Sequence, residues 1–120
     1  MLIFGHELIN MQKFFHYQDG DFAKDSINCF KFDEENIKKA KKENIEFAIF
    51  VQNEDELILS NALEAKYALI EDKNLAKIAS KLAEFYMFDM KILFLVDEIK
   101  NLNQYYKLKI DGVCLKTYIT

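Results

Sequence analysis

The sequence predicts an α/β protein built around a mostly parallel, five-stranded sheet. Three observations support this: five apolar runs recur along the chain, polar helix-forming stretches separate them, and the run Ile92–Val96 is apolar at five consecutive positions. Because successive residues of a strand point to opposite faces, such a run requires a sheet covered on both faces. We therefore place Ile92–Val96 in the interior of the sheet.

The apolar runs begin at intervals of 20, 20, 25 and 21 residues, close to the shortest strand-plus-helix unit. They are Ile27–Phe32, Phe47–Val51, Tyr67–Ile70, Ile92–Val96 and Val113–Leu115. Between them, apolar residues recur at helical spacing, most regularly in Lys73–Tyr86. The other predicted helices are Glu34–Lys42, Glu54–Leu63 and Glu98–Tyr106.

The chain is predicted to form a single domain, with strand-helix repeats over residues 26–120. Residues 1–25 lack a sustained period and are expected to be an irregular segment. Within it, Leu2–Phe4 could form a short strand, and Leu8–Phe15 a short helix or strand.

Two architectures fit five sequential strands joined by helices. Helices on both faces would give a doubly wound, flavodoxin-like three-layer sandwich, whereas helices on one face would give a (β/α) half-barrel. A half-barrel would expose an apolar sheet face that a second copy would have to cover, which predicts a homodimer. We prefer the doubly wound form because it needs no partner.

Composition excludes several classes of function. All 16 basic residues are lysine and the net charge is -4, so the chain lacks the basic stripe and the arginine forks of nucleic-acid-binding proteins. No apolar run approaches the roughly 20 residues that cross a bilayer. Cys29 and Cys114 lie in apolar runs, which is typical of reduced, buried thiols in a cytoplasmic protein.

Candidate site residues follow the apolar runs, because ligands of parallel α/β sheets bind at the carboxyl ends of the strands. These candidates are Asp33, Glu71, Asp97 and Lys116. A ring of carboxylates with one lysine could hold Mg²⁺ and a phosphate.

This arrangement resembles the receiver domains of two-component signalling. The resemblance places Asp33 and Glu34 at the acidic pair after strand one, Asp72 at the acceptor aspartate and Lys116 at the lysine after strand five. The sequence departs from the family at Asp97, which stands where a hydroxyl residue is expected. The resemblance implies Mg²⁺-dependent phosphotransfer.

The starts of three strands resemble those of (β/α) barrels, with a small residue preceding branched apolar ones, in Glu46–Ile49, Lys66–Leu69 and Ile110–Val113. The chain also resembles small uncharacterised bacterial α/β proteins, which implies a fold and no activity.

Helix capping is an alternative explanation for the same carboxylates. Asp33, Asn53, Asp72 and Asp97 each precede a predicted helix, where a short polar side chain accepts hydrogen bonds from free backbone N–H groups. Glu71 is not needed as a cap, which makes it the first candidate for a site.

A second candidate cluster is formed by His6, Glu7 and His16, which could bind a divalent metal or exchange protons. The spacing of these residues matches no established metal motif. We predict a non-enzymatic binding or protein-interaction module that forms a homodimer and binds an unidentified small ligand or protein. The alternative is a Mg²⁺-dependent phosphate-binding or phosphotransfer domain.

Overall fold

A computed structural model describes residues 1–120 and contains seven strands and three α-helices. The strands are β1 Leu2–Phe4, β2 Lys13–His16, β3 Ser26–Lys31, β4 Phe47–Phe50, β5 Tyr67–Ile70, β6 Lys91–Val96 and β7 Gly112–Leu115. The α-helices are α1 Glu34–Lys42, α2 Glu54–Ala62 and α3 Lys73–Tyr86, and short 3₁₀ helices cover Leu102–Leu108 and Lys116–Tyr118.

All seven strands belong to one parallel sheet with the order β1-β7-β6-β5-β4-β3-β2. The predicted parallel α/β class is therefore confirmed. Ile92–Val96 is buried throughout and pairs in parallel with β5 and β7. The sheet has seven strands and not five, because residues 1–25 supply one additional strand at each edge.

All three α-helices pack on the same face of the sheet. The buried cluster on that face includes Ile37 of α1, Leu57 of α2 and Ala76 of α3, whereas the buried residues of the opposite, concave face come from strands alone. The sheet is thus the half-barrel, and our preference for the doubly wound sandwich was wrong. Strands that lie side by side in sequence order, with crossovers of one hand, place every helix on the same side.

The concave face is filled by aromatic side chains of the same chain. Phe4 of β1 and Phe14 of β2 stack with their ring centroids 4.7 Å apart. Tyr67 of β5 lies 5.4 Å from Phe4 and 5.5 Å from Phe14, and Tyr118 contacts both phenylalanine rings. The apolar face that a half-barrel was expected to expose is therefore buried within one chain.

The last residues of the chain cover the outer edge of β2. Ile119 forms a parallel bridge with Phe14, and the Thr120 N–H donates to the Phe14 carbonyl at 3.2 Å. The single Tyr118 O–H donor lies within hydrogen-bonding distance of two carbonyl oxygens, that of Gln12 at 2.8 Å and that of Met11 at 3.0 Å. Residues 118–120 thus contact backbone groups at the edge that an edge strand otherwise leaves open.

The predicted α-helix Glu98–Tyr106 is not formed. A 3₁₀ helix, Leu102–Leu108, begins after Asn101 (φ 55°) and ends before Lys109 (φ 54°). Both flanking residues have left-handed backbone angles, which an α-helix of L-residues does not continue. Tyr105 of this segment is buried, with its ring centroid 5.4 Å from that of Phe94.

Candidate functional site

Three of the four predicted helix caps are present. Each cap side chain accepts hydrogen bonds from backbone N–H groups in the first turn of its helix, as free helix starts require. These contacts join Asp33 to Glu35 and Asn36 of α1, Asn53 to Glu56 of α2, and Asp72 to Asn74 and Leu75 of α3. The carboxylates of Asp33 and Asp72 are therefore engaged in starting helices.

Asp97 is not a cap, since no α-helix begins after it. Its Oδ1 lies 3.2 Å from Nζ of Lys116, and Oε1 of Glu71 lies 2.9 Å from the same nitrogen. Hydrogen bonds raise the pKa of the Lys116 ammonium above its ordinary value, and the bond to Glu71 has a larger effect than the bond to Asp97. Three predicted site residues, following the adjacent strands β5, β6 and β7, thus form one ion-paired cluster.

The residues present do not form a magnesium site. The Lys116 ammonium lies between the Glu71 and Asp97 carboxylates, where a cation would bind. Asp33 is at the start of α1, and no group of three or more His, Cys, Asp or Glu side chains lies close enough together to hold a metal ion. The predicted trio of Asp33, Glu71 and Asp97 is therefore not assembled as one set of ligands for Mg²⁺.

A cleft of about 440 Å³ lies at the carboxyl ends of the strands beside this cluster. Phe50, Leu69 and Leu95 contribute apolar side chains from the concave face. Val51 and Leu75 add apolar surface from the helix-bearing side. The polar lining residues are His16, Lys31, Gln52, Glu71 and Asp72.

The pleat of the sheet explains why polar groups gather at this edge. Along a strand, residues two positions apart share a face, and each polar residue lies two positions after a buried residue of the concave face. The pairs are Phe14 and His16, Cys29 and Lys31, Leu69 and Glu71, Leu95 and Asp97, and Cys114 and Lys116. The concave face is therefore apolar inside and ends in a rim of charged and polar groups.

Charges on this rim are not all compensated. Glu71 is paired with Lys116, and Asp72 accepts from the start of α3. The side chains of Lys31 and His16, by contrast, take part in none of the hydrogen bonds or ion pairs of the chain. The His16 and Phe50 rings are inclined to each other by 69°, with their centroids 5.3 Å apart. The β2–β3 end of the cleft thus offers two donors without an acceptor.

The second predicted cluster is divided between two places. His6 and Glu7 lie in the loop after β1 and line a different depression, beside the exposed Leu8. The His6 Nδ1 accepts from the Leu8 N–H at 3.1 Å. His16 lines the cleft at the carboxyl ends of the strands. His16 is near His6 and Glu7 in the sequence, but its neighbours in space are Phe50 and the other cleft residues.

Comparisons with known proteins leave the function to be inferred from this cleft. No protein-family model matches the chain, and no curated protein matches it significantly. None of its helices combines the length and the apolar character needed to cross a membrane.

Proposed function

We propose that this protein is a non-enzymatic binding module that holds a small organic ligand in the cleft at the carboxyl ends of β2–β5. The observation that supports this most directly is the combination of an apolar floor with polar groups that have no partner. Sites for small molecules are typically concave, mostly apolar and roughly 300–1,000 Å³ in volume, with a few polar groups. A volume of about 440 Å³ lies within that range.

The position of the cleft supports the same proposal. In half-barrels, as in complete barrels, the carboxyl ends of the strands and the loops that follow them provide the binding surface. Here the buried aromatic cluster of the concave face holds the strands in place, so the carboxyl ends of the strands form a preorganised binding edge. A ligand would gain affinity from such an edge because little ordering is needed on binding.

The lining favours binding over catalysis. It contains no serine, threonine, cysteine or tyrosine that could act as a nucleophile. Burial raises the pKa of both cysteine thiols well above the ordinary value, which disfavours the reactive thiolate. The imidazole of His16 has no carboxylate or carbonyl to orient it, as a general base normally has.

Protein-observed NMR tests this proposal with three probes that share one apolar body: phenylacetate, phenylacetamide and phenethylamine. We expect at least one probe at millimolar concentration to shift the amide signals of Phe50, Gln52 and Leu69. Phe50→Ala should weaken that binding by about tenfold because it removes the only aromatic ring of the apolar floor formed by Phe50, Leu69 and Leu95. Phe85→Ala is the matched control, since Phe85 is 77% exposed near the end of α3 and is not a lining residue.

Two results would overturn the proposal. One is the absence of cleft shifts with all three probes. The other is an equal loss of affinity in the Phe50 and Phe85 variants, because binding would then not depend on the cleft floor.

A further inference from the structure

We infer that the ligand of this cleft carries an anionic oxygen group, a carboxylate or a phosphate, which Lys31 and His16 bind. This inference rests on the proposed function and specifies its ligand. Lys31 is exposed at the end of β3, and its ammonium takes part in none of the five ion pairs of the chain. An ammonium beside an apolar surface and without a counter-ion is a ready partner for an anion.

Lys31 and His16 occupy neighbouring places on the same face. β2 and β3 pair in parallel, with His16 opposite Cys29, and Lys31 lies two residues beyond Cys29. Both side chains therefore leave the concave face at the same end of the sheet. Phe50 pairs with Lys31 in the register of β3 and β4, and its ring contacts the His16 ring.

The opposite end of the cleft has the reverse charge. Glu71 and Asp97 share the single ammonium of Lys116, which leaves one negative charge uncompensated there. Asp72 adds a second carboxylate, which is stabilised by the start of α3. An anion is thus attracted to the β2–β3 end and repelled from the β5–β6 end.

The opposite charges at the two ends of the cleft define how the ligand is oriented in it as well as the class of ligand. The anionic group lies against Lys31 and His16, and the apolar body of the ligand lies over Phe50, Leu69 and Leu95. A flat, compact body suits the cleft, because its floor is a pleated sheet surface with one aromatic ring.

The same three probes test this inference at low ionic strength, since their apolar bodies are alike and their charges differ. We expect phenylacetate to bind about tenfold more tightly than neutral phenylacetamide, as a charge-assisted hydrogen bond allows, and cationic phenethylamine to bind most weakly. Phenyl phosphate distinguishes the two sources of negative charge: tighter binding than phenylacetate indicates a phosphate, and weaker binding a carboxylate.

Lysine variants identify which positive charge causes the preference for phenylacetate over phenylacetamide. Lys31→Gln should remove most of the preference for phenylacetate over phenylacetamide, whereas Lys31→Arg should retain it. Lys38→Gln is the matched control, because Lys38 is exposed on α1, outside the cleft lining, and the change removes the same charge.

Failure of this inference is distinct from failure of the proposed function. Equal affinities for all three probes, or tightest binding of phenethylamine, would overturn the anion assignment and leave cleft binding intact. An equal loss of preference in the Lys31→Gln and Lys38→Gln variants would overturn it too, since net charge alone would then be responsible.

Discussion

The Phe4 and Phe14 rings stack at 4.7 Å, with an interplanar angle of 22°, although their strands are the two edges of a seven-stranded sheet. Strands lie about 4.8 Å apart, so the edges of a flat sheet of this width would be about 29 Å apart. Curvature therefore brings both edges to one aromatic cluster. The cluster connects β1 and β2 directly, without any backbone pairing between them.

Phe14→Ala is expected to lower the free energy of unfolding by about 3–5 kcal/mol, because Phe14 is 1% exposed and its removal leaves a cavity among Phe4, Tyr67 and Tyr118. Urea unfolding followed by circular dichroism measures the change. The exposed Phe85→Ala variant should lie within about 0.5 kcal/mol of the wild type. A small loss in the Phe14 variant would mean that the two edges do not depend on this contact.

Gly112→Ala should also destabilise the fold, by about 1–3 kcal/mol. Gly112 lies opposite Leu2 in the β1–β7 register, and a Cβ at this position would collide with the Leu2 carbonyl and Cβ. The strain falls on backbone, which cannot rotate away as a side chain can. The same urea measurement applies, and a stability equal to that of the wild type would contradict the close approach of β1 to β7.

Asp33→Ala and Asp97→Ala form a matched pair, since each removes one carboxylate that follows a strand. We expect Asp33→Ala to cost about 1 kcal/mol, because two N–H groups of α1 lose their acceptor. Asp97→Ala should cost less than about 0.5 kcal/mol, since its ion pair with Lys116 is exposed and Glu71 remains as a partner. Thermal unfolding compares the two, and a larger loss at Asp97 would refute this assignment.

Alkaline pH should destabilise the protein through Cys114. Burial raises the pKa of this thiol from 9.0 to about 12, so above pH 9 the unfolded chain releases a proton that the folded chain retains. The free energy of unfolding then falls with rising pH, by up to about 1.4 kcal/mol per pH unit for each such group, until the pH passes the folded-state pKa.

Cys114→Ala should make this decline shallower between pH 9 and 12. Urea unfolding at a series of pH values measures the slopes for both proteins. The lost side-chain volume shifts the curve of the variant by a constant and does not alter its slope. Parallel curves would show that the thiol does not remain protonated in the folded state.

Local sequence pattern predicted much of the fold. β5 and the helices α1 and α3 have the predicted bounds, because each is defined by residues that are near one another in sequence: an apolar run, a capping side chain and a helical apolar stripe. The segment Glu98–Tyr106 has the same stripe, yet Asn101 adopts a left-handed backbone, which the apolar spacing does not reveal.

The candidate site was predicted in part. Glu71, Asp97 and Lys116 follow apolar runs, and the structure places these three in one ion-paired cluster, whereas Asp33 caps α1. Lys31 was missed because it was counted inside an apolar run, although its place two residues after Cys29 marks it as the polar end of a concave-face row. That row of alternate residues is the signal that could have identified it.

Periodicity and run length were enough to predict that strands and helices alternate from residue 26 and that the sheet is parallel, since both patterns depend on neighbouring residues. The three-dimensional fold was needed to establish that the helices share one face and that residues 1–25 supply both edge strands. It also decided that Asp97 binds Lys116 instead of capping a helix. The physical reason is that each of these outcomes depends on contacts between residues far apart in the chain, such as those of Phe4 with Phe14 and Tyr67. The local pattern of a strand-helix unit is the same whichever face its helix covers.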